Sequence, residues 1–120
     1  MFSADVAARI EEELARGELA RREGFAGRAR VSARRAAGAA IREYLRLAGI
    51  PQPGPSAIDL LAYLRDQPET AAWVTPQVRR LAENLLAQVD ESFSLPESID
   101  LLADARTLAR ILEEQSAGHY

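Results

Sequence analysis

The stretch RARVSARRAAGAAIREYLRLAG, residues 28–49, decides how this chain folds. Arg28, Arg35 and Arg42 recur every seven residues, and at helical spacing they share one stripe. Val31, Ala37, Ile41, Tyr44, Leu45 and Ala48 read as the inner side of the same helix, which Gly49 should end. Between them, Ala36, Ala37, Gly38, Ala39 and Ala40 add little bulk on any side. A neighbouring helix can therefore approach closely, either within the bundle or across a dimer axis. Arg34 falls off the stripe, nearer the inner face, and is the arginine expected to be buried and paired.

Upstream, Ser3 precedes an apolar series at Val6, Ile10 and Leu14, with Asp5 in the first turn. That is an N-cap with a favourable charge at the positive end of the helix dipole, and the helix should run to about Arg22. Gly24 and Gly27 bracket Phe25 and break it there. Downstream, IPQPGPS cannot continue a helix, because its prolines lack the N–H donor and clash with the preceding turn. Pro55 and Ser56 open a short third helix, with Asp59 completing a capping box and Ile58, Leu61 and Leu64 facing inward. Trp73 is expected to plug the bundle end. Thr75 as N-cap and Pro76 at the first position start a fourth helix with Val78, Leu81, Ala82, Leu85 and Val89 inside. Ser98 should cap a fifth, with Leu101, Leu102, Ala105, Leu108 and Leu112 inside and residues 113–120 frayed. No stretch alternates apolar and polar residues over a strand's length. The expectation is an all-α, compact up-and-down bundle of about five helices in one domain, 1–120.

Composition narrows the function. At 120 residues the chain can bury roughly two thirds of its unfolded surface, enough for a core without staples. There is no cysteine, so no disulfide and no thiolate site, and one histidine excludes a His/Cys zinc centre. No metal and no cofactor are expected. The N-terminus has no apolar leader core and no long apolar run follows, so the expectation is a cytoplasmic protein without a membrane span. Every cation is arginine, a bias first explained by codon usage in a GC-rich genome. A net charge of −3 argues against a dedicated nucleic-acid binder. The charge is uneven, however: residues 1–50 hold ten arginines against seven acids, and residues 51–120 hold five against eleven.

The candidate contacts are Arg28, Arg34, Arg35, Arg42 and Arg46. Guanidinium forks about two turns apart can track phosphates or pair with a partner's carboxylates. The competing explanation, which the sequence favours, is a solvated outer face with Glu43 and Glu23 as partial partners. Asp100 with Asp104, the run Glu11 to Glu13, and Asp90 with Glu91 read as helix caps and solubilising charge rather than as an acid/base or cation site. Tyr44, Tyr63 and Trp73 read as core aromatics rather than base-stacking platforms. A serine triad would need His119 in the tail, and neither a nucleophile elbow nor a phosphate-binding glycine loop is present. The residues do not describe an enzyme.

The order of features from Arg34 to Glu114 resembles the HEPN superfamily of helical-bundle proteins. The matching elements are ARRAAGAAIREYL, GIPQPGPSAIDLL, VRRLAENLLAQV, SFSLPES and Asp104-Ala105. The resemblance implies a helical fold, a tendency to form homodimers and, for many members, pairing with a nucleotidyltransferase. It implies no catalysis: the family's ribonucleases carry an Arg followed four to six residues later by His, and no arginine here has one. Ser92-Phe93 stands where the family's Arg-aromatic pair would fall. The expected function is a non-catalytic, homodimeric binding or assembly module, with a nucleotide- or RNA-binding module on the arginine stripe as the alternative.

Overall fold

A computed structural model describes residues 1–87 and 100–117. Among these the chain forms an all-α bundle of five helices: α1 Ala4–Arg22, α2 Ala26–Ala48, α3 Ala57–Arg65, α4 Pro76–Leu86 and α5 Leu101–Ala117. The ends follow local chemistry. Ser3 Oγ accepts from the Val6 N–H and Thr75 Oγ1 from the Val78 N–H, each satisfying a donor the helix cannot. Ser56 and Asp59 exchange both bonds of a capping box, at 3.0 and 3.3 Å. Gly24 and Gly49 take positive φ, 85° and 72°, and close α1 and α2. At both ends the next residue reaches back five positions, Phe25 N–H to the Ala20 carbonyl and Ile50 N–H to the Leu45 carbonyl, the signature of a Schellman turn.

The long helix α2 packs against all four others, and α1 and α5 close on each other. Its small-residue run is consumed inside the chain: Ala36, Ala37 and Ala40 are fully buried, and Ala39 nearly so. Gly38 lies so close to α3 that an added Cβ would stand 2.9 Å from Ala57 Cβ and 3.1 Å from its Cα. Gly17 plays the same part in α1, where a Cβ would collide with Leu102 of α5. The alanines thus pack closely within the bundle, one of the two uses foreseen for them.

Three positions differ from the expected inner faces. Val31 is 42% exposed because it lies between Arg28 and Arg35 on the outer stripe, and Ala48 is exposed one turn past the core. Ile58 is 47% exposed, and Leu60 takes its place with Leu61 and Leu64, since α3 rotates to set Ala57 against Gly38. Trp73 stacks on Tyr44 with ring centroids 4.8 Å apart and an interplanar angle of 19°, with Tyr63 at 6.4 Å. Tyr44 is buried in the core, as expected, whereas Tyr63 and Trp73 are half-buried and pack against it. The fifth helix begins with Asp100, whose Oδ1 accepts from the Leu102 and Ala103 N–H groups, both at 3.1 Å. Ser98, Val89, Asp90, Glu91, Ser92-Phe93 and His119 lie outside the described residues.

The C-terminal segment corrects the expected fraying, since α5 continues to Ala117. It continues because it is docked: Glu113 Oε2 accepts from the Phe2 N–H at 3.0 Å, and Phe2 is buried beside it. Glu43 Oε2 accepts from the Ser3 N–H at 3.2 Å. Two carboxylates on two helices thus hold the start of the chain.

Candidate binding face

The five candidate arginines part into two groups. Arg34 is half-buried and binds backbone: its Nε donates to the Leu85 carbonyl at 2.7 Å and its Nη2 to the Ala87 carbonyl at 3.2 Å. It was expected to be paired, but its partners are the last carbonyls of α4 rather than an acid. These are groups the helix leaves without donors and where its dipole is negative. Burial, with Arg30 nearby, lowers the affinity of the Arg34 guanidinium for its proton. Arg46 is exposed and joins Glu43 Oε1 at 2.6 Å, while the Glu43 side chain is 3% exposed. The Arg46 bond holds the Glu43 carboxyl below its ordinary value; burial opposes this and the Ser3 N–H assists. Both arginines are structural.

Arg28, Arg35 and Arg42 remain on the outer stripe. Arg28 lies over the ring of Phe25, 4.5 Å from its centroid, and Arg42 Nη2 reaches the Pro55 carbonyl at 3.1 Å. Arg35 is exposed and, among the described residues, has no hydrogen bond or ion pair. The stripe floors two adjoining open grooves that share Val31 and Arg35. One, of about 540 Å³, lies between α1 and α3 and is walled by Arg9, Glu13 and residues 55–58. The other, of about 520 Å³, runs along the α1–α2 turn past Arg16, Leu19, Glu23 and Phe25.

Together the grooves hold six arginines (Arg9, Arg16, Arg28, Arg34, Arg35, Arg42) against two glutamates, a net +4 on a chain of net −3. Leu19, Phe25, Val31 and Ile58, four of the most exposed large apolar side chains, lie on the same face. Sequence reasoning missed Arg9, Arg16, Leu19 and Ile58 as members. Arg9 and Arg16 are seven apart on α1, the spacing that revealed the stripe on α2, so that signal was present. Which helix would lie beside α2 was not.

The acidic pairs serve as local supports. Asp100 caps α5 and pairs with Arg21 at 2.9 Å; burial would raise its pKa, but the Ala103 and Leu102 N–H groups and Arg21 hold it below the usual value. Asp104 Oδ2 accepts from Asn84 Nδ2 at 3.1 Å, tying α4 to α5. Glu11 pairs with Arg106 at 3.0 Å, and Glu12 and Glu13 with Arg16. Among the described residues no three His, Cys, Asp or Glu side chains gather to hold a metal ion, and no helix is long and apolar enough to cross a membrane. Comparison with protein-family models, curated proteins and solved structures finds no match, so the reading of this face rests on its own chemistry.

Proposed function

We propose that the chain is a non-catalytic helical binding module whose working surface is the arginine and apolar face of α1, α2 and α3. One observation carries this reading: cations and exposed apolar side chains concentrate on the same face of an otherwise acidic molecule. Isolated surface apolar side chains need no explanation, but a clustered group beside unpaired cations is the composition of a contact surface. The HEPN resemblance, which rests on the sequence elements from Arg34 to Glu114, belongs to the same proposal and transfers no catalytic residue. Homodimerisation belongs to the same proposal and would use a surface other than the alanine run, which is already packed inside the chain.

Chemical-shift mapping of the full chain with a 16-residue polyglutamate peptide and a 16-nucleotide single-stranded RNA tests the reading. The expected shifts are confined to residues lining the two grooves. Shifts spread over α4 and α5, or none with either probe, overturn it. Light scattering that returns a monomer at high micromolar concentration removes the dimer. The alternative, a nucleotide- or RNA-binding module, predicts RNA affinity that falls steeply with salt.

A further inference from the structure

Resting on that reading, we infer that the two adjoining grooves floored by Arg28, Val31, Arg35 and Arg42 together receive an acidic amphipathic helix from a partner protein. Their dimensions fit. The floor runs from position 28 to position 42 of a continuous helix, and at 1.5 Å per residue it is about 21 Å long, the length of a four-turn helix. The two grooves adjoin at Val31 and Arg35 and both are open to solvent, so a rod can lie along them.

The chemistry selects a helix over a nucleic acid. The exposed apolar groups Leu19, Val31 and Ile58 are aliphatic and offer no stacking face for a base. Phe25 is the one aromatic on this surface, and Arg28 already covers its ring. Of the cations, Arg34 is committed to the α4 carbonyls and Arg16 to Glu12 and Glu13, which leaves a short set led by Arg9, Arg28 and Arg35 rather than a continuous phosphate track. A partner helix with apolar anchors at i, i+3 or i+4 and i+7 would seat them on Val31, Ile58 and Leu19. Carboxylates flanking that stripe would meet Arg9 on the α1 wall and Arg35 on the floor in the fork geometry that guanidinium favours. Charge complementarity steers the approach, and the apolar strip fixes register.

A random 16-residue peptide display library selected against the full chain, and counter-selected against the double variant Val31→Asp/Arg35→Glu, decides the matter. Both positions are exposed, so the variant should keep the wild-type melting temperature. Enriched peptides are expected to be net acidic with helical apolar spacing, and a synthetic copy should bind the variant at least tenfold more weakly. A sequence-scrambled copy of equal charge should lose as much. No enrichment, enrichment of basic or non-periodic peptides, or equal binding of the scrambled copy overturns the inference. If the 16-nucleotide RNA maps to this face while no peptide does, the inference falls and the binding module stands; if neither binds there, both fall. A dimer in light scattering that Arg35→Glu dissolves assigns the groove to a second copy of this chain and also overturns it.

Discussion

The two sides of α2 share one backbone geometry and opposite constraints. On the inner side Ala33, Ala36, Ala37 and Ala40 are fully buried, and their smallness lets neighbouring helices close in. Small side chains lose little conformational entropy on burial, so the close contact is favourable although each alanine covers little area. On the outer side Arg28, Val31 and Arg35 make few contacts within the fold. The inner side is fixed by sterics and tolerates little change. The outer side has no packing duty, so its chemistry is free to serve a partner.

Substitutions can sharpen or break that contrast. Leu45→Ala, at a fully buried position, should cost about 2–5 kcal/mol in urea unfolding through lost transfer energy and a residual cavity; a cost below about 1 kcal/mol would mean the core is loosely packed. Arg34→Ala should cost about 1–3 kcal/mol, because the Leu85 and Ala87 carbonyls lose their donors. Arg34→Lys should recover only part of this, as an ammonium lacks the two-pronged fork. Gly38→Ala should destabilise by about 1–2 kcal/mol, since overpacking against the Ala57 backbone outweighs alanine's better helix propensity. Stabilisation by this change would show that α3 can move away freely.

A smaller effect concerns pH. The Glu43 carboxyl lies below its ordinary value of 4.5 in the fold, so its contribution is complete above that pH and disappears as pH falls through the lowered value. Stability of the wild type should therefore drop on acidification below about pH 4.5, and Glu43→Gln should flatten that limb while costing about 1 kcal/mol at neutral pH. An acid limb identical in both proteins would assign it to other carboxylates, Asp100 first among them. Smallest of all, Arg35→Ala should change stability by less than about 0.5 kcal/mol. A large loss there would mean the outer side carries folding energy, and the contrast would fail.

Much of the fold was legible because its signals are local. Ser3, Thr75-Pro76, Ser56 with Asp59, and Gly49 each act within one turn, so their consequences follow from neighbours in the chain. The misreadings were rotations. Val31 and Ile58 were placed inside because they are apolar, whereas the stripe in one case and the Gly38–Ala57 contact in the other turn them outward. Glu43 was read as a partial partner on the surface; its neighbour Tyr44 gives no hint that the carboxylate is buried and holds Ser3, a residue 40 positions away.

By itself, the sequence determined the all-α class, the helix order and most helix ends, and it singled out the second helix as alanine-packed on one side and cationic on the other. Periodicity and capping suffice for that, since they act over three to seven residues. Only the tertiary structure decided which arginines are structural and which face outward, and which side chains of α1 and α3 join α2 in a single surface. Those outcomes depend on the rotation of each helix about its axis and on which helix lies beside which. Packing sets both across long separations in sequence, as when Arg34 finds its carbonyls on α4 and Arg9 comes to lie across the groove from Ile58.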